Sequence, residues 1–84
     1  EQIKDLKDGS YILDGSLAVR DLNKRCDMHL PISESYTTIA GFLMSEAGQI
    51  LSEGETVPFN GHIFKIEKVD KRRILKVRME KVSV

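Results

Sequence analysis

Cys26, His29 and His62 are the side chains best suited to soft or borderline metal chemistry. Cys26 and His29 stand three positions apart, the one tight donor spacing in the chain, but no second pair completes a tetrahedral zinc site. As a nucleophile Cys26 meets another obstacle. It shares the apolar face of a predicted helix with Val19 and Leu22, and burial raises a thiol's pKa and leaves it inert. A buried cysteine and a loop histidine account for the pair. Hard cations such as Ca²⁺ or Mg²⁺ take oxygen ligands, and Asp5, Asp8 and Asp14 are the weak candidates for them, with a spacing that fits no calcium loop. Serines and threonines lie beside turns and caps, where local hydrogen bonds absorb their hydroxyls. The isolated glycines build neither a phosphate loop nor a dinucleotide fingerprint. Without a catalytic constellation, the expectation is a protein that is not an enzyme.

Charge is the other resource. The chain is neutral overall, yet residues 1–60 carry five basic and ten acidic side chains, and residues 61–84 carry eight basic and three acidic ones. Such asymmetry marks a site for anionic lipid, phosphate or an acidic partner, centred on Lys71, Arg72, Arg73, Lys76 and Arg78. The plainer account is a solvated basic hairpin balanced by the acidic half of the same domain. Exposed aromatics are not interleaved with these cations, and Phe59 and Phe64 suit a core, so nucleic acid is not an expected partner.

The elements that must position these groups follow from periodicity. With 84 residues, 40% apolar and 31% charged, the chain predicts one small globular domain. A single cysteine permits no intrachain disulfide, and a reducing compartment is the simpler assumption. No apolar run approaches the roughly 20 residues that cross a bilayer, and no signal-peptide pattern opens the chain. A start at Glu1 rather than Met predicts a domain cut from something longer. Residues 1–7 read as a linker from an upstream domain or as the domain's first edge, residues 8–81 as the domain, and residues 82–84 as a tail.

Ser10 to Leu13 predicts a short strand ended by Asp14-Gly15, with Ser16 as cap of the helix that follows. Ile39, Phe42, Leu43 and Ala47 predict a second helix, capped by Thr37 or Thr38 and closed at Gly48. From Thr56 the period becomes two: Thr56 to Phe59, the Asn60-Gly61 hairpin signal, His62 to Val69, a turn at Asp70-Lys71, and Ile74 to Glu80. In the last strand Leu75, Val77 and Met79 are expected to share a face. The predicted core is Ile39, Phe42, Leu43, Phe59, Phe64, Ile66, Leu75 and Val77, and Gly15, Gly48, Gly54 and Gly61 are expected at positive-φ turns. One lone strand, two helices and three antiparallel strands argue for an α+β domain, two short helices packed on a small, mainly antiparallel sheet.

The order of these signals is more specific than any one of them. Asp8-Gly9-Ser10-Tyr11 leads to Asp14-Gly15-Ser16-Leu17, a helix around Leu22-Asn23, Leu30-Pro31, Tyr36-Thr37-Thr38-Ile39-Ala40-Gly41-Phe42, Gly48-Gln49-Ile50, Glu53-Gly54-Glu55, Phe59-Asn60-Gly61, Phe64-Lys65-Ile66 and a basic last strand. From about Lys7 to Lys81 the series resembles the CorC/HlyC transporter-associated domain. Tyr36 to Phe42 resembles that family's Y-x-T-x-G-G-hydrophobic signature, with Ala40 where glycine is usual.

The resemblance implies a small α+β unit similar to part of the FAD-binding (PCMH-type) domains of flavin oxidases. It further implies a place at the cytoplasmic side of the inner membrane, as the last part of a longer protein with upstream CBS and transmembrane domains. Such proteins are linked to magnesium and cobalt efflux, and some are haemolysin-like. The implied role is non-catalytic and regulatory, with no catalytic residue carried over and no cofactor required. The alternative is a module that binds flavin adenine dinucleotide, a nucleotide or a divalent cation, by analogy of fold. Self-association into a homodimer through a sheet edge is a further expectation.

Overall fold

A computed structural model describes residues 2–81, so the expected tail at 82–84 lies outside the described residues. Seven elements follow one another: β1 (Ile3–Asp5), β2 (Ser10–Asp14), α1 (Val19–Cys26), α2 (Ile39–Ala47), β3 (Thr56–Phe59), β4 (His62–Asp70) and β5 (Arg73–Lys81). The strands form one antiparallel sheet in the order β1-β2-β5-β4-β3. The basic last strand is therefore the middle of the sheet, flanked by β2 and β4. Both helices cover one face, and their Leu22, Ile39, Phe42 and Leu43 share a buried core with Leu13, Phe64, Ile66 and Val77.

Of the two readings of the first residues, the structure takes the edge and not the linker. Ile3 pairs with Leu13 and is 7% exposed, so residues 3–5 are held as the outermost strand. Three residues carry too little periodicity to announce a strand. The single apolar side chain among polar neighbours becomes a strand only because β2 offers it a ladder.

Helix α1 also departs from expectation at its start. Ser16 does not cap it: its amide and hydroxyl both donate to Asp14 Oδ1, at 3.1 and 2.9 Å. Ala18 occupies the cap position without a side-chain bond, and the Val19 amide is satisfied instead by the Thr37 carbonyl at 2.9 Å. At the other end Asp27 takes the left-handed conformation and closes the helix well before Pro31. Helix α2 follows local chemistry. Thr38 Oγ1 accepts from the Gly41 amide at 3.2 Å, and Gly48, at φ 71°, ends the helix with its amide on the Met44 carbonyl.

The segment between the helices lacks regular structure but is pinned. The Asn23 side chain bonds Leu30 twice, donating to its carbonyl and accepting from its amide, each at 2.9 Å. Met28 and Leu30 are thereby drawn into the core.

The β4–β5 pairing is interrupted by two opposite register shifts, between Ile66 and Lys68 and between Lys68 and Val69. Glu67 is the extra residue on one strand and Leu75 on the other, so Ile74, 2% exposed, takes the core position expected of Leu75, which is half-buried. Phe59 is likewise only packed against the core's margin. Gly15 does not serve a positive-φ turn. It is buried where the β2–α1 corner crosses β5, donating to the Leu75 carbonyl at 2.9 Å and accepting from the Ala40 amide at 3.1 Å.

Candidate functional site

The three aspartates proposed as a hard-cation cluster do not converge. Each is consumed by its own turn: Asp5 Oδ1 accepts from the Lys7 amide at 2.7 Å, Asp8 Oδ1 from the Ser10 amide at 3.0 Å and from its hydroxyl, and Asp14 Oδ1 from Ser16. Among the described residues, no group of three His, Cys, Asp or Glu side chains is arranged to hold a metal ion. The Ser10 hydroxyl and amide hold the Asp8 carboxyl below the usual carboxylate range, and the Ser16 amide and hydroxyl do the same for Asp14. Stability from these bonds is therefore present above the ordinary carboxylate pKa and is lost as pH falls through the lowered folded values.

The five basic residues divide into two groups. Lys76 and Arg78 project from the sheet face opposite the helices, across from Asp14 and Ile12 of β2. Lys76 Nζ lies 3.9 Å from Asp14 Oδ2, and the Arg78 guanidinium lies 3.5 Å from Asp8 Oδ2 and 3.7 Å from Glu80 Oε1. These pairs are partly exposed and contribute little each, but they offset the charge of Lys76 and Arg78. Two of these carboxylates, Asp8 and Asp14, come from the acidic half of the chain. Lys71, Arg72 and Arg73 instead sit exposed at the tip of the β4–β5 hairpin.

Cys26, His29 and His62, distant in sequence, line one cavity of about 480 Å³. It opens where the end of α1 meets the β3–β4 hairpin, with Tyr11, Met28 and Met79 also in its wall. Sequence reasoning missed these three, because nothing local in Tyr11 or Met79 announces that helix α1 ends over them. Burial pushes the Cys26 thiol up, against a weaker opposing pull from Arg25, so it stays protonated and a poor nucleophile or ligand. His62 Nδ1 lies 3.2 Å from the Asn60 carbonyl. The cavity has the volume to receive a small molecule.

The Tyr36 to Phe42 segment is a structural corner. Tyr36 donates its hydroxyl to the Pro31 carbonyl at 2.6 Å and meets the Phe42 ring edge-on, centroids 5.5 Å apart. A Cβ at Gly41 would stand 2.9 Å from that of Tyr36, and the Ala40 amide reaches Gly15.

A sequence profile of the transporter-associated domain, CorC/HlyC, matches residues 4–83. The chain belongs to the CorC/HlyC family of transporter-associated domains. Hemolysin C of Brachyspira hyodysenteriae is 31% identical over 84 residues, covering 99% of this chain and 31% of that protein. The polyamine export protein of Salmonella typhimurium is 32% identical over 75 residues, covering 88% of this chain and 17% of that protein. The magnesium and cobalt efflux protein CorC of Escherichia coli is 32% identical over 63 residues, 75% of this chain and 21% of that protein. The chain thus spans less than a third of the length of these relatives.

Among solved structures, the CorC/HlyC domain of Nitrosomonas europaea superposes with a TM-score of 0.89 at 30% identity, covering 98% of each chain. The domain of a Xylella fastidiosa hemolysin, solved in complex with Mg²⁺ and Mn²⁺, gives 0.85 at 26%, covering 99% of this chain and 100% of that one. Those CorC/HlyC chains are matched almost end to end. No helix among the described residues of this chain is long and apolar enough to cross a membrane.

Proposed function

We propose that this CorC/HlyC domain is a non-catalytic accessory part of a membrane ion-transport protein of the magnesium/cobalt efflux and haemolysin-like type. In this reading it lies on the cytoplasmic side of the inner membrane beyond CBS and transmembrane domains, and biases transport or assembly through contacts with them or with a second copy. One observation carries the reading. Relatives named for polyamine export and for magnesium and cobalt efflux share this domain at the same 32% identity, although it makes up only 17% and 21% of them. A unit common to exporters of unlike cargo serves a task other than cargo selection. Excising residues 3–81 from the full-length transporter is expected to change efflux rate or oligomeric state and to leave the choice of cargo intact. Unaltered flux together with unaltered assembly sinks the reading.

A second reading, a divalent-cation site, is favoured by the Mg²⁺ and Mn²⁺ carried by the Xylella relative. The three aspartates form no such site as they stand, so an ion on this chain draws Asp8 out of the turn it closes. Binding to the folded chain alone raises the melting temperature with concentration. A thermal melt in increasing Mn²⁺ is expected to shift upward and to lose that shift in Asp8→Asn; a melt unmoved by Mn²⁺ removes this reading.

A further inference from the structure

Two hairpins of the same sheet use the same two-residue turn with different chemistry. Phe59 pairs with His62 across Asn60 and Gly61, whose φ angles are 49° and 79°. Asp70 pairs with Arg73 across Lys71 and Arg72, whose φ angles are 49° and 67°. Asn-Gly adopts this left-handed pair at little cost, whereas Lys and Arg pay a steric penalty at each position. The first hairpin demonstrates that the fold has the cheaper solution available. At the second, two cations are kept in a strained geometry that closing the turn does not require.

Their surroundings agree. Lys68, Lys71, Arg72 and Arg73 are all exposed, with Asp70 the one carboxylate inside that six-residue stretch. The three ion pairs among the described residues belong to Lys76 and Arg78, so no described carboxylate oxygen lies within 4.0 Å of a tip cation. Lys76 and Arg78 in the middle of β5 are ion-paired, whereas Arg73 at its tip is not.

We propose that the β4–β5 tip is an electrostatic contact for an anionic lipid surface, a deepening of the transporter reading above and dependent on it. Lys and Arg near an anionic leaflet attract it through its surface potential over about one Debye length. Four cations give a weak contact in free solution, but a domain tethered to a membrane-embedded protein meets the leaflet at high effective concentration. Phosphate headgroups also suit guanidinium, which donates two parallel hydrogen bonds to a phosphate.

The 84-residue chain tested by co-sedimentation is expected to bind vesicles containing phosphatidylglycerol, to release them as salt rises, and to ignore pure phosphatidylcholine. Lys71→Asn/Arg72→Gly copies the other hairpin, so its melting temperature holds or rises while vesicle affinity falls about 30-fold. Arg73→Gln, which leaves the turn untouched, weakens binding about fivefold. Lys76→Gln/Arg78→Gln, removing cations already paired, changes it by less than about threefold. The proposal is overturned if the chain ignores anionic vesicles, if neutral vesicles bind equally, if the Asn-Gly variant binds as before, or if polyglutamate binds more tightly than vesicles and so assigns the tip to an acidic protein. Failure here leaves the domain-excision result standing, and failure of that excision experiment leaves the vesicle result unaltered.

Discussion

Gly15→Ala is expected to destabilise the domain by about 4 kcal/mol, enough to unfold much of the population at moderate temperature. A Cβ at this position would stand 2.0 Å from the Ile74 carbonyl oxygen and 2.9 Å from its carbon. Both are backbone atoms of the central strand, so no side chain can swing aside, and the corner must lift away from β5. Lifting it breaks the bonds from Gly15 to Leu75 and from Ala40 to Gly15 and leaves buried backbone groups without partners. Each such orphan costs about 1–3 kcal/mol, on top of the strain of the displaced strands. Gly9→Ala is the control: its added Cβ meets nothing within 4 Å, so only its backbone angle objects, at about 1 kcal/mol. Urea midpoints of the two variants against the parent chain check the contrast. Equal midpoints for Gly15→Ala and Gly9→Ala would refute the close crossing of corner and strand.

Phe42→Ala carries the next largest expected loss, about 3–5 kcal/mol. Phe42 is fully buried on α2 and meets three other rings edge-to-face: Phe59 at 5.1 Å, Tyr36 at 5.5 Å and Phe64 at 6.3 Å between centroids. Removing it empties the space between the second helix and the sheet and strands the other three rings. A small domain cannot collapse freely around such a hole, because the helix is also fixed by Thr38 and Gly48 at its ends. Phe42→Leu keeps most of the volume and forfeits mainly the ring contacts, a loss of about 1 kcal/mol. Denaturant titration followed by far-ultraviolet circular dichroism separates the two, with the same unfolded baseline for both. A loss below about 1 kcal/mol for the alanine variant would mean that the aromatic cluster is not the keystone of this core.

Both residues lie in segments that carry the family resemblance, and both act through packing. The recurrent signature is thereby accounted for by the needs of the fold: Tyr36 sets the entry to α2, Gly41 leaves room for Tyr36, and Gly15 lets the corner touch β5. The strained basic tip is not accounted for in this way.

Asn23 illustrates a signal that was present but silent. Asparagine is a poor residue for a helix interior, and that mismatch hinted at another task, but nothing in the sequence names its partner. Only the folded chain places Leu30 against both ends of its amide. Cys26, His29 and His62 are similar: their types were legible, while their meeting in one cavity depends on where α1 stops over the sheet.

By itself the sequence determined whatever depends on neighbours along the chain. A threonine cap at Thr37 or Thr38, the Gly48 terminus and the Asn60-Gly61 turn are set by interactions spanning a few residues, and the change from helical to alternating period fixed the α+β class; the structure chose Thr38. Tertiary structure decided what depends on partners far away. Edge strand β1 exists because β2 receives it, Ile74 displaces Leu75 because two register shifts cancel between β4 and β5, and Gly15 is needed because Ile74 passes over it. The same holds for charge. Lys76 and Arg78 differ from Lys71 and Arg72 only once the sheet brings Asp14 and Asp8 beside one pair while no described carboxylate oxygen comes within 4.0 Å of the other, since an ion pair is a matter of ångströms in space and not of position in the chain.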